Sequence, residues 1–175
     1  MGTVVVLVVR LLVPLLILRR PLAGALASIV ADTCDIVAFN LWGWPPWPYH
    51  SLDKALDLYY LAIELWVSRR WAAPERTVAA VLFWWRVAGV ALLEAAGLRW
   101  TLILFPNVFE WWFLLVLGRD RWRPGYRFTR VRTTGWLLAL LVPKLGQEYA
   151  LHVARWLDQW VLADVVRSLL RRLSG

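Results

Sequence analysis

Apolar runs long enough to cross a hydrocarbon layer alternate along this chain with short stretches rich in arginine, proline or tryptophan. Strict alternation of apolar and polar positions is absent, so the runs read as helices and not as strands of a barrel. Six segments emerge, over about 3–18, 22–42, 52–67, 77–97, 100–117 and 134–157. The first contains Arg10 and Pro14, which predict a kinked or tilted helix. The second carries Asp32 and Asp35 inside "SIVADTCDIVAF", residues 28–39. A loop, "GWPPWPYHS" (43–51), ends it, and Ser51 is the expected N-cap of the third. "APERT" leads the fourth, Pro106 and Asn107 fall inside the fifth, and "PKLGQEY" (143–149) breaks the sixth. Val161, Leu162, Val165, Val166, Leu169, Leu170 and Leu173 form one side of a last stretch, with Arg167, Arg171 and Arg172 opposite. That pattern predicts an amphipathic surface helix over about 161–173.

Composition sharpens the picture. Of the 175 residues 61% are hydrophobic, 14 are tryptophan, and the mean hydropathy is +0.56. Charged residues make up 18%, against about 25% in a typical soluble domain. The expected fold is all-α: a single polytopic membrane bundle of five to six transmembrane helices plus the C-terminal surface helix. The expected location is an integral position in a membrane, a prokaryotic cytoplasmic membrane. The net charge of +8 comes from arginines gathered between apolar runs. This is the pattern that orients membrane helices, so the expected partners are the bilayer and its anionic headgroups, not nucleic acid.

Arg19-Arg20, then Arg69, Arg70 and Arg76, then the six arginines of 118–133 mark alternate connections as cytoplasmic. Six full crossings would leave the basic tail outside, unless the segment broken at Pro143 is re-entrant. The one cysteine, Cys34, excludes an intrachain disulfide framework and reads as a small packing residue. Arg10 within the first apolar run and Arg19-Arg20 after it argue against a signal peptide, and Val6 argues against myristoylation.

The chemistry concentrates in the acids. An ionised aspartate at the centre of a spanning helix costs about 2.5–3.5 kcal/mol and normally faces a bundle interior or an aqueous cavity. Ser28, Asp32, Asp35 and Phe39 share one helical face. In "SLDKALDLYYLAIE", Asp53, Asp57, Tyr60 and Glu64 project at about 0°, 40°, −20° and 20°. The tryptophan–proline loop joins these two segments directly, so their acidic faces can meet as an antiparallel pair. Asp32, Asp35, Asp53, Asp57 and Glu64 are therefore the candidate cation site. Carboxylates so close cannot all ionise without a positive partner: a divalent ion, protons, or Lys54. Oxygen-only ligands suit Mg²⁺, Mn²⁺ or Ca²⁺.

The spacing Asp32-x2-Asp35-x17-Asp53-x3-Asp57 is similar to the aspartate spacing of the CDP-alcohol phosphotransferase family. Those proteins are six-helix membrane enzymes whose aspartates hold divalent metal and help activate an alcohol to attack a CDP-linked lipid or headgroup. The resemblance implies metal ligation by Asp32, Asp35 and Asp53, and a catalytic general-base role for Asp57. It covers 26 residues and their aspartates; Ile36, Phe39-Asn40 and Tyr49 stand where the family has glycine, Ala-Arg and glycine.

A second constellation is Lys144, Glu148, His152, Arg155 and Gln159, within an arc of about 80° on a helix. Glu148 and His152 are i, i+4 neighbours. Arg86 and Glu94 each need a partner on another helix, and Glu110, one turn after Asn107, adds a further buried acid. Glu110, Lys144, Glu148 and His152 form the expected second polar cluster. The pairs Trp84-Trp85 and Trp111-Trp112 fall mid-span and read as packing residues. The leading functional expectation is an ion- or proton-linked transporter or channel, working as an oligomer. The alternatives are a divalent-metal-dependent lipid-modifying enzyme and an accessory subunit of a membrane complex.

Overall fold

A computed structural model describes residues 2–42, 49–97 and 104–152, and every element among them is helical. Helix α1 spans Gly2–Leu12 and passes into a 3-10 segment, Val13–Leu18. Next come α2 (Pro21–Trp42), α3 (Tyr49–Ser68), α4 (Ala73–Ala96), α5 (Val108–Trp122) and α6 (Arg130–His152). Of these, α4 is long and apolar enough to cross a membrane, and Thr3–Leu18 is a shorter apolar stretch. The surface helix expected over 161–173, with Arg167, Arg171 and Arg172, lies outside the described residues. So do the tryptophan–proline loop over 43–48 and the side chains of Glu148 and His152.

Local chemistry explains the boundaries. Pro14 enters the chain where α1 gives way to the 3-10 segment, as expected of a residue without a backbone N–H. Helix α4 starts with Pro74 in its first turn and ends at Gly97, whose φ of 67° is the left-handed conformation that glycine adopts without strain. The fifth apolar run is not one continuous helix: Phe105, Pro106 and Asn107 are non-helical, and α5 starts at Val108. Pro106 disfavours the helical conformation in the residue before it. The carbonyls left over at the break are taken up by α4. Trp85 Nε1 donates to the Leu104 carbonyl at 3.2 Å, and Arg86 Nη1 donates to that of Phe105 at 3.1 Å. Conversely, α6 runs unbroken through Pro143, where the sequence predicts an interruption. Ser51 lies inside α3 and not at its cap, and its hydroxyl donates to Glu94 Oε2 at 3.0 Å.

Helix α3 is the hub, packing on α2, the 3-10 segment, α4 and α5, while α6 packs on α5. Apolar layers sit at both ends of it. Val6, Phe39 and Leu52 close one end, and Ile17, Ala25, Val67 and Phe113 close the other. A third cluster, built on Leu61, Phe83, Phe109, Trp112 and Val116, joins α3 to α4 and α5. Between Leu52 and Val67, about 22 Å along the helix axis, α3 carries its polar stripe. The tryptophan pairs divide: Trp112 is fully buried, while Trp84, Trp85 and Trp111 face outward. Cys34 is also exposed, so it does not pack in the interior.

The turn between the 3-10 segment and α2 is a tight approach of backbone to backbone. A Cβ on Gly24 would lie 2.3 Å from the Ile17 nitrogen and 2.6 Å from the Leu16 carbonyl carbon. Backbone atoms cannot rotate away, so the two elements must separate to admit a side chain. Gly24→Val is expected to cost about 1–3 kcal/mol in denaturant unfolding followed by tryptophan fluorescence. Gly146→Ala, whose added Cβ meets nothing within 4 Å, should be neutral or stabilising by up to about 1 kcal/mol.

Candidate functional site

The aspartates of α2 and α3 converge, and they do so on a residue whose partnership sequence reasoning missed. Arg10 projects from α1 into the space between the two helices and is almost wholly buried. Its Nη1 lies 2.6 Å from Asp35 Oδ2 and 2.6 Å from Asp53 Oδ1. Its Nη2 pairs with Asp32 and, at 2.7 Å, with Asp57 Oδ1. One guanidinium thus meets four carboxylates from two helices. A planar group with several diverging N–H donors can do this; an ammonium at the same point cannot. The signal was present in the sequence: Arg10 is a lone charge in the apolar run over 3–18, as anomalous there as Asp32 and Asp35 are in theirs.

Lys54 supplies a second cation from the α3 side. Its Nζ is 2.7 Å from Asp53 Oδ2 and 3.9 Å from Asp57 Oδ2. Four carboxylates against Arg10 and Lys54 leave two formal negative charges if every acid is ionised. Asp35 is buried, whereas the Asp32 side chain is 38% exposed, so the cluster opens outward along α2. One carboxylate oxygen each from Asp32, Asp35 and Asp53 lie within 4.8 Å of one another. That all-oxygen donor set fits a hard divalent ion such as Mg²⁺, Mn²⁺ or Ca²⁺. Arg10 holds the same three carboxylates, so a metal and Arg10 are competitors for them.

Glu64, two turns beyond Asp57, points into the core. It is fully buried, and neither of its carboxyl oxygens has a hydrogen-bond partner. The charge that bears on it is the Glu110 carboxyl of α5. Glu110 in turn accepts from Asn107 Nδ2 at 2.9 Å. Lys144 of α6 and Arg86 of α4 provide positive charge around it. Of the expected second cluster, Glu110 and Lys144 are both buried and the Lys144 charge bears on Glu110, while the side chains of Glu148 and His152 lie outside the described residues. Tyr60, which is buried, lies one turn after Asp57 and one turn before Glu64 on α3. The two polar groups are therefore neighbours along α3.

A separate ion pair lies at the opposite end of the bundle. Arg119 Nη1 donates to Glu75 Oε1 at 3.2 Å and to the Tyr126 carbonyl at 2.8 Å, with its guanidinium over the Phe128 ring. It fastens the start of α4 to the end of α5 and serves as a structural clamp.

No protein-family model matches the chain, and no curated protein or solved structure that it was compared with matches it either.

The geometry makes Arg10 the residue on which the site depends. Removing it leaves four carboxylates in low-dielectric surroundings with Lys54 as the cation bonded to two of them. Arg10→Ala is expected to destabilise the protein by about 3–5 kcal/mol, read as thermal unfolding in detergent. Lowering the pH should recover part of that loss, because protonation removes the repulsion. Adding Asp35→Asn to Arg10→Ala should recover part of it at neutral pH.

Proposed function

We propose that this chain is a small polytopic integral membrane protein that binds a cation or protons between α2 and α3, acting as an ion- or proton-linked transporter or channel. The observation that carries the reading is the convergence of Asp32, Asp35, Asp53 and Asp57 on one buried guanidinium. A carboxylate cage already closed by an internal cation binds an external one by exchange. The charge that enters replaces the charge that leaves, so the carboxylates never stand uncompensated in a low dielectric. Arg10 sits on the short α1, four residues before Pro14, so a hinge there would withdraw the guanidinium while α2 and α3 stay in place.

The distribution of burial supports the membrane setting. Large apolar side chains face outward in quantity, among them Val5, Leu12, Leu16, Val30, Val81, Trp84 and Val142. The interior instead holds Arg10, Asp35, Glu64, Arg86, Asn107, Glu110 and Lys144. A water-soluble protein of this size would not expose so much apolar surface, whereas lipid requires it. Helices α2 and α3, with 22 and 20 residues, have the length of a hydrocarbon core about 30 Å thick, while α4 is the one helix among the described residues that is also apolar enough to cross it. Arginines 19, 20, 69 and 70 and the basic loop before α6 suit anionic headgroups on a cytoplasmic face. At this length, assembly into a homo-oligomer or a larger membrane complex would supply a complete pathway.

A second reading, a divalent-metal-dependent lipid-modifying enzyme, is favoured by one specific observation. Asp32, Asp35 and Asp53 offer oxygens close enough together for one ion, in the spacing that resembles the CDP-alcohol phosphotransferases. Bound metal would there polarise phosphate oxygens, and Asp57 would take the proton from an attacking alcohol.

Reconstitution into liposomes separates these readings. With an internal pH dye and imposed gradients of H⁺, Na⁺ or Mg²⁺, wild-type protein should produce a flux that Asp35→Asn and Asp57→Asn reduce at least about tenfold, a loss of roughly 1.4 kcal/mol in the driving interaction. Absence of flux for all three ions would reject transport. Mg²⁺-dependent release of CMP from a CDP-linked lipid by the same preparation would then establish the enzyme.

A further inference from the structure

Glu64 poses a problem that the cation site does not solve. Its side chain has no exposure, its two oxygens have no donor, and the charge that bears on it is that of another acid, Glu110. A carboxylate in such a place costs several kcal/mol, and a buried ion survives only when it is paired and hydrogen-bonded. Two carboxyls facing each other cannot both be ionised without a cation between them. The surroundings also distinguish the two acids. Glu110 accepts from the Asn107 amide at 2.9 Å, and the positive charges of Lys144 and Arg86 favour its ionised form. Glu64 has none of these donors.

We propose that Glu64 and Glu110 form a proton-binding site distinct from the aspartate cage, with the proton resident on Glu64 and Glu110 kept as the ionised partner. The site depends on the packing of α3 against α5 and stands whether or not the aspartates move a cation. The ionisable groups around Glu64 and Glu110 are Asp57 and Tyr60 of α3, Arg86 of α4 and Lys144 of α6. Tyr60, which is buried, lies on α3 between Asp57 of the cage and Glu64. A neutral Glu64 also explains how a glutamic acid can be fully buried on the same stripe as Asp53 and Asp57 without a counter-ion of its own.

Infrared spectroscopy of the purified full-length protein, with glutamate carboxyl groups isotopically labelled, tests this at neutral pH. Wild type should show a carboxylic-acid C=O band that shifts with the glutamate label and with D₂O. Glu64→Gln should abolish the band and leave the melting temperature within a few degrees, because glutamine is close in shape to a protonated glutamic acid. Glu110→Gln should keep the band but change its frequency, and provides the readout should Glu64→Gln fail to fold. Absence of a glutamate-sensitive acid band in wild type would overturn the proposal. So would a band that survives unchanged in both variants.

Discussion

Taking a charge out of water is the dominant cost in a structure of this kind, and the contact between Arg10 and four aspartates is how this chain meets it. The guanidinium lies where α1, α2 and α3 approach one another, bonded to Asp35, Asp53 and Asp57 at 2.6–2.7 Å and paired with Asp32. None of the three helices could bury its charge alone. Together they hold one another, because separating any of them would leave an ion without its partner. The apolar layers at either end, around Phe39 and around Ile17, help to bury Arg10 and Asp35, and low-dielectric surroundings strengthen the bond between them.

The same requirement recurs through the molecule. Where Pro106 interrupts the chain, Trp85 and Arg86 of α4 supply the donors that the helix no longer provides. Where α4 begins, Arg119 binds Glu75. Backbone and side-chain polar groups in apolar surroundings must find partners inside the protein. Glu64 stands apart because both its oxygens lack one. Its environment is intelligible only when a proton is counted among the groups present. The polar interior then has two levels along α3, an ionic cage at Asp53 and Asp57 and a protonatable pair at Glu64, with Tyr60 between them.

This arrangement narrows the chemistry that the proposed function can use. A cage already filled by Arg10 favours exchange over simple capture. Any ion that binds must offer the carboxylates at least what the guanidinium offers, and small hard cations with high charge density do so best. Entry from the Asp32 side is the shortest route, since that carboxylate is the most exposed of the four. A transporter and a metal-dependent enzyme would share this exchange and then diverge, the one releasing the ion on the far side and the other holding it against a phosphate.

Much of this was legible in the residues alone. The helical segments and the acidic faces of 28–39 and 51–64 are dictated by period and charge along the chain. An irregularity at Pro14 was equally visible, and it takes the form of a passage from α- to 3-10 helix, since a missing N–H acts locally. Other features were decided only in three dimensions. The backbone is non-helical around Pro106, where α4 side chains take up the carbonyls of Leu104 and Phe105, while α6 runs on through Pro143. Ser51 and Glu94 found each other across 43 residues. Above all, period along one helix says which face a charge takes, but it cannot say which charge on another helix will meet it. Arg10 lies 22 residues from Asp32 and 47 from Asp57. Their pairing is a property of how three helices pack, and it turns a row of expensive acids into a site.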